Sequence, residues 1–152
     1  MAGFAFRLES VLKQRQADED IQQRELAKLL RKRMILLDQL RGMQQSITGS
    51  KHELGDGLRG KVDLSAVGEF ARFNAQCERR ARGIVQELAG LEKQVEQQRV
   101  RLTEAVKARR AIDLLKDRQR VAWQLREQRR EEAALDEVAV QQYARAMLEM
   151  TG

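Results

Sequence analysis

Proline does not occur anywhere in this chain of 152 residues. About seven would be ordinary for a globular chain of this length, and proline is the residue that punctuates loops and ends helices. Its absence excludes a patchwork of short elements and favours long uninterrupted helices. One cysteine excludes an internal disulfide, and one histidine beside it leaves no set of nitrogen and sulfur ligands for a structural zinc. A reducing compartment, the cytoplasm, is the simpler expectation. Aromatic residues number only six, four Phe with one Trp and one Tyr, so a conventional globular core is not expected. Apolar runs are a few residues long, and the first residues lack a charged region followed by an apolar stretch. Neither a membrane span nor a cleavable signal is expected.

What the chain has instead is charge and aliphatic residues thinly spread. Charged residues make up 34% and the formal net charge is +6. That excess is diffuse: residues 1–48 carry +3, 49–64 zero, 65–112 +4 and 113–152 −1. A nucleic-acid reader more typically shows a concentrated basic stripe or a binding motif with stacking aromatics, and neither is present. The runs Arg31-Lys32-Arg33 and Arg79-Arg80 with Arg82 form at most a basic belt around a hairpin. No nucleic-acid partner is expected.

Alternate steps of four and three from Leu8 reach Leu12, Leu26, Leu29, Leu36, Leu40, Met43 and Ile47, with Arg15, Glu19, Gln22 and Arg33 interrupting. The same stepping through the second half gives Phe70, Asn74, Cys77, Ala81, Ile84, Leu88, Leu91, Val95, Gln98, Leu102, Ala105, Arg109 and Ile112, of which ten of thirteen are apolar. A repeat of about 3.5 residues sustained this long marks a left-handed coiled coil. Acid-then-base pairs three residues apart, such as Glu96 with Arg99, Asp113 with Lys116 and Glu127 with Arg130, suit a solvated helix surface.

Four of the ten glycines lie between Gly49 and Gly60, with no period there. The expected layout is therefore all-α: a single antiparallel two-helix coiled-coil hairpin over 1–152, helix one about 4–48, turn about 49–64, helix two about 65–148, with Asp63 or Ser65 as N-cap. Setting Ile47 opposite Phe70 puts Leu8 beside Arg109 and leaves everything beyond about residue 113 without a partner strand. At about 1.5 Å per residue that overhang would be roughly 50 Å long. It still carries Leu114, Leu115, Val121, Trp123, Leu125, Leu135, Val138, Val140, Tyr143 and Met147, which calls for a protein socket or self-association.

Catalysis finds no foothold: there is no phosphate-cradling glycine loop ending in Gly-Lys-Ser/Thr, no nucleophile with a base, and no clustered carboxylates. No enzyme activity and no cofactor are expected. Cys77 falls on a seam position and is expected to pack as a small apolar side chain, while His52 is expected in a solvated turn. Phe73 stands one position off the seam occupied by Phe70, exposed for a partner or buried by a local slip of register.

The opening Phe4-Ala5-Phe6-Arg7-Leu8-Glu9 and the later Arg129-Arg130-Glu131-Glu132-Ala133-Ala134-Leu135-Asp136-Glu137, followed by Tyr143, resemble the two ends of the flagellar export protein FliJ family. Length, hairpin layout and a longer second helix agree with it, whereas the glycine-rich turn does not. The resemblance implies a non-enzymatic component of the type III flagellar export apparatus, similar in shape to the coiled-coil stalk of a rotary ATP synthase. It implies contact with the hexameric export ATPase FliI, with the export gate protein FlhA and with export chaperones, so that the chain meets the inner membrane through protein contacts only. By that likeness Phe73, Cys77, Arg80 and Ile84 would face the gate, although Arg80 and Ile84 depart from the small and polar residues common there. Trp123, Leu125, Leu135, Asp136, Glu137 and Tyr143 on the overhang would meet the ATPase. The competing expectation is a generic coiled-coil chaperone or scaffold that dimerises through its C-terminal helix.

Overall fold

A computed structural model describes residues 3–61 and 63–152. They form two long helices packed against each other, α1 (Glu9–Gly57) and α2 (Leu64–Thr151), and no strand occurs among the described residues. The expected all-α hairpin with a longer second helix is what is found. Its packing falls into two compact units, each drawn from both helices: Glu19–Ala105, and Met1–Asp18 with Val106–Gly152.

In the unit Glu19–Ala105 the seam follows the second ladder throughout. Every ladder residue from Phe70 to Leu102 is less exposed than the residues beside it, and Ile84, Leu91, Val95 and Gln98 are buried. Each fully buried Leu or Ile here stabilises the pair by about 1.5–3 kcal/mol. Gln98 is only 5% exposed, a polar side chain where the ladder asks for an apolar one. Its amide donates to the Gln22 backbone carbonyl at 3.1 Å and to Gln22 Oε1 at 2.6 Å, which satisfies the buried group. Arg33 donates to Glu92 at 3.2 Å. These two pairs lie three and eight residues beyond the partners that the Ile47–Phe70 register would give them. The alignment at Gln22 and Gln98 is therefore shifted by about one turn, and the Arg33 side chain meets a residue a further turn along α2. The basic belt does not form either, because Arg33 sits against Glu92, roughly 15 Å along α2 from Arg82.

The glycine-rich stretch is helical as far as Gly57, so the turn is much shorter than the expected 49–64. Each glycine costs a helix about 1 kcal/mol relative to alanine, yet Ile47, Ser50 and Leu54 continue the half-buried stripe at the same 3.5-residue spacing. Tertiary packing outweighs propensity there. His52 accordingly lies on a helix, with Nε2 3.6 Å from an Asp56 carboxylate oxygen. Gly60, at φ +132°, makes the actual reversal in a backbone region that side chains rarely adopt. Asp63 caps α2, accepting the Ser65 N–H at 3.0 Å.

In the other unit α1 starts at Glu9 rather than near residue 4. Phe6 turns inward to 8% exposure, and its carbonyl accepts the Glu9 N–H at 3.2 Å. Leu12 is buried against α2 at 3% exposure. Residues 3–8 lie along α2 as a non-helical strap.

Candidate partner-docking surfaces

The strap is anchored by side chains. The Phe4 ring centroid lies 6.0 Å from that of Trp123 with the planes at 50°, and the Arg120 guanidinium sits 5.8 Å from the Phe4 centroid. The Lys116 ammonium is 6.0 Å from the Phe6 ring and 2.8 Å from a Glu9 carboxylate oxygen. Such cation–aromatic placements are favourable because the ring face is negative. Lys116, where the apolar heptad breaks, is thus half-buried with its ammonium over Phe6 and beside Glu9. It does not join Asp113, which accepts instead from Arg109 at 2.6 Å. Trp123 is half-buried beneath Phe4, so helix two is covered well past residue 113, where the overhang was expected to start.

The bare end begins at Gln128: every residue from there to Thr151 is exposed. By a rise of about 1.5 Å per residue this stretch is roughly 36 Å long. Leu135 is 70% and Tyr143 69% exposed, and Val138, Val140, Met147 and Leu148 are open as well. Ala139, Tyr143, Ala146 and Met150 follow one another at steps of four and three, flanked by Val140 and Met147, so they share one stripe. Asp136 and Glu137 are exposed at its near end. Of the residues expected to meet the ATPase, four therefore lie on this bare end. Leu125 is exposed just before it, and Trp123 lies under the strap.

The third surface is at the turn. Phe73, 36% exposed, is shared by two adjoining grooves, one of about 420 Å³ toward Leu54, Leu58 and Phe70, the other of about 650 Å³ toward Gly42, Met43 and Cys77. Cys77 is half-buried there as a free thiol and Arg80 is exposed at the rim. Ile84 is different: at 5% exposure it is buried in the seam, where the ladder places it, rather than open at the surface.

Sequence reasoning missed the strap. Its signal was present in two phenylalanines spaced by two ahead of the first ladder residue, a spacing that suits an extended segment better than a helix. It also missed the Gln22–Gln98 pair, visible only as two interruptions in two separate ladders.

A family model described as Flagellar FliJ protein matches residues 4–148. The chain belongs to the FliJ family. The matched stretch opens on Phe4 and closes on Leu148, so it takes in the strap, both helices and nearly all of the bare end. Membership makes this chain a component of flagellar protein export, and the FliJ family is a non-catalytic one. A comparison with curated proteins found no match, and a comparison with solved structures found none. Among the described residues no helix is long and apolar enough to cross a membrane, and no three His, Cys, Asp or Glu side chains gather as a metal site.

Proposed function

We propose that this FliJ-family chain couples the hexameric export ATPase FliI to the export gate protein FlhA and to export chaperones, and that it stimulates assembly and activity of the ATPase without performing chemistry. The bare end of α2 is the ATPase contact, entering or capping the central opening of the ring. The turn-end surface of Phe73, Cys77 and Arg80 is the gate contact, and Ile84 holds the helix beneath it. The chain then sits at the inner membrane through protein contacts alone.

The observation that carries this reading is the unpartnered stripe of Ala139, Val140, Tyr143, Ala146, Met147 and Met150 on a helix that has outrun its partner. A stripe of this kind is the form in which one helix docks into an apolar groove of another protein. A helix that touches several subunits in one assembled state, and fewer in another, shifts the population toward the first. Stimulation therefore needs no catalytic side chain here.

The test is truncation after Glu127, which removes only exposed residues. The shortened chain is expected to keep its helical signal per residue and its melting midpoint while losing stimulation of ATPase turnover; full stimulation by it would overturn the reading. The same exposed stripe also fits a homodimer formed through α2. Sedimentation at micromolar concentration separates the two, since a stable dimer that ignores the ATPase supports the second.

A further inference from the structure

We propose that the outer strap, residues 3–5, is a releasable cover over a docking surface centred on Trp123, and that an aromatic side chain on an acidic segment of the export ATPase displaces it. This rests on the assignment of the adjoining bare end to that ATPase.

The strap shows by its own contacts what the seat accepts. An aromatic ring lies against Trp123 under the Arg120 guanidinium. The seat is also incompletely filled. Phe4 and Trp123 both stay half-buried, and clefts of about 410 Å³ and 870 Å³ open on either side of the contact. A ring packed for good would leave less room beside it.

Charge points the same way. Residues 116–130 hold six cations (Lys116, Arg118, Arg120, Arg126, Arg129, Arg130) against two anions (Asp117, Glu127), a local charge of +4. Residues 131–149 hold five acids against one arginine, a charge of −4. The seat therefore attracts an acidic segment, and the bare end beside it does not. Because the two surfaces adjoin on one helix, a partner that grips the bare end arrives at the edge of the strap. Exchange of Phe4 for a partner ring then extends the interface onto Trp123.

A reversible lock tests this in the full chain. Ala5→Cys and Ala122→Cys, which line one cleft, are introduced together with Cys77→Ser, and binding to the purified export ATPase is compared before and after reduction of the same protein. If the strap is closed in about nine molecules of ten, freeing it tightens apparent binding up to about tenfold. The oxidised form is expected to bind more weakly than the reduced form, and Phe4→Ala up to about tenfold more tightly than the parent chain. Trp123 emission should shift when the parent chain binds. Equal binding by oxidised and reduced protein, or weaker binding by Phe4→Ala, would each overturn the strap as a cover. Failure of every form to bind, parent included, removes the ATPase assignment itself, whereas binding that ignores the lock removes the strap alone.

Discussion

Two stretches of α2 are worth setting side by side: residues 84–98, which hold the most deeply buried side chains, and residues 128–151, where nothing is covered. Both space their apolar residues by threes and fours. In the first, Leu91 and Val95 meet α1 and are 7% and 1% exposed. In the second, Tyr143 and Met147 stand open at 69% and 47% exposure. The helical period alone does not separate a core from a docking surface. What separates them is whether an opposing strand reaches that far.

The sharpest way to break that contrast is a pair of truncations to alanine. Leu91→Ala should lower unfolding stability by about 2–4 kcal/mol, as large-to-small changes at buried sites do. Denaturant titration measures it. Next in size is Gln98→Ala, which removes both hydrogen bonds to the half-buried Gln22 and should cost about 1–3 kcal/mol. Replacing both by leucine should restore stability while loosening the register, seen as a broader set of cysteine crosslinks between the helices.

Phe73→Ala removes a ring that is partly solvent-facing and should cost no more than about 1 kcal/mol of stability, yet it should weaken binding to the gate protein in a pull-down with purified FlhA. Loss of folding with unchanged gate binding would return Phe73 to the seam. Lys116→Met should change stability by less than about 1 kcal/mol, because the pair with Glu9 is partly solvated. Raising the salt should narrow the gap between parent and variant. At the bottom stands Leu135→Ala, expected within about 0.5 kcal/mol of the parent. If it destabilises as much as Leu91→Ala, the bare end is packed in solution, and the contrast drawn above collapses in favour of a dimer.

The seam of α2 was legible in the sequence, from Phe70 to Ile112, because burial in a two-helix pair follows one period and the chain keeps it for twelve steps. The FliJ likeness was legible at both ends for a different reason: Phe4, Phe6, Glu9 and the Leu135-Asp136-Glu137 run are sequence-local. Register was not legible to better than a turn. An apolar ladder slid along its partner by one repeat matches nearly as well, and only the specific meeting of Gln22 with Gln98 tells one alignment from the next. The extent of α1 was misjudged because Gly49, Gly55 and Gly57 were weighed as turn residues while the continuing stripe of Ser50 and Leu54 was not. The strap escaped because a non-helical segment of six residues has no period to read. Its consequence for the candidate site is direct, since it moves Trp123 from an open surface to a covered one.

A seam one side chain deep has a further consequence. In a globular domain the middle of the chain is shielded on every side, and amide protons there exchange only when the whole structure opens. Here each turn of helix is guarded by little more than the residues directly across from it, so opening should be graded along the chain, as in arrays where each unit leans only on its neighbours. Deuterium uptake should be slowest around Leu91, Val95 and Gln98 and fastest past Gln128, with the amides around Trp123 between them. The protein would then carry its own gradient of protection, loosest where a partner has most to grip.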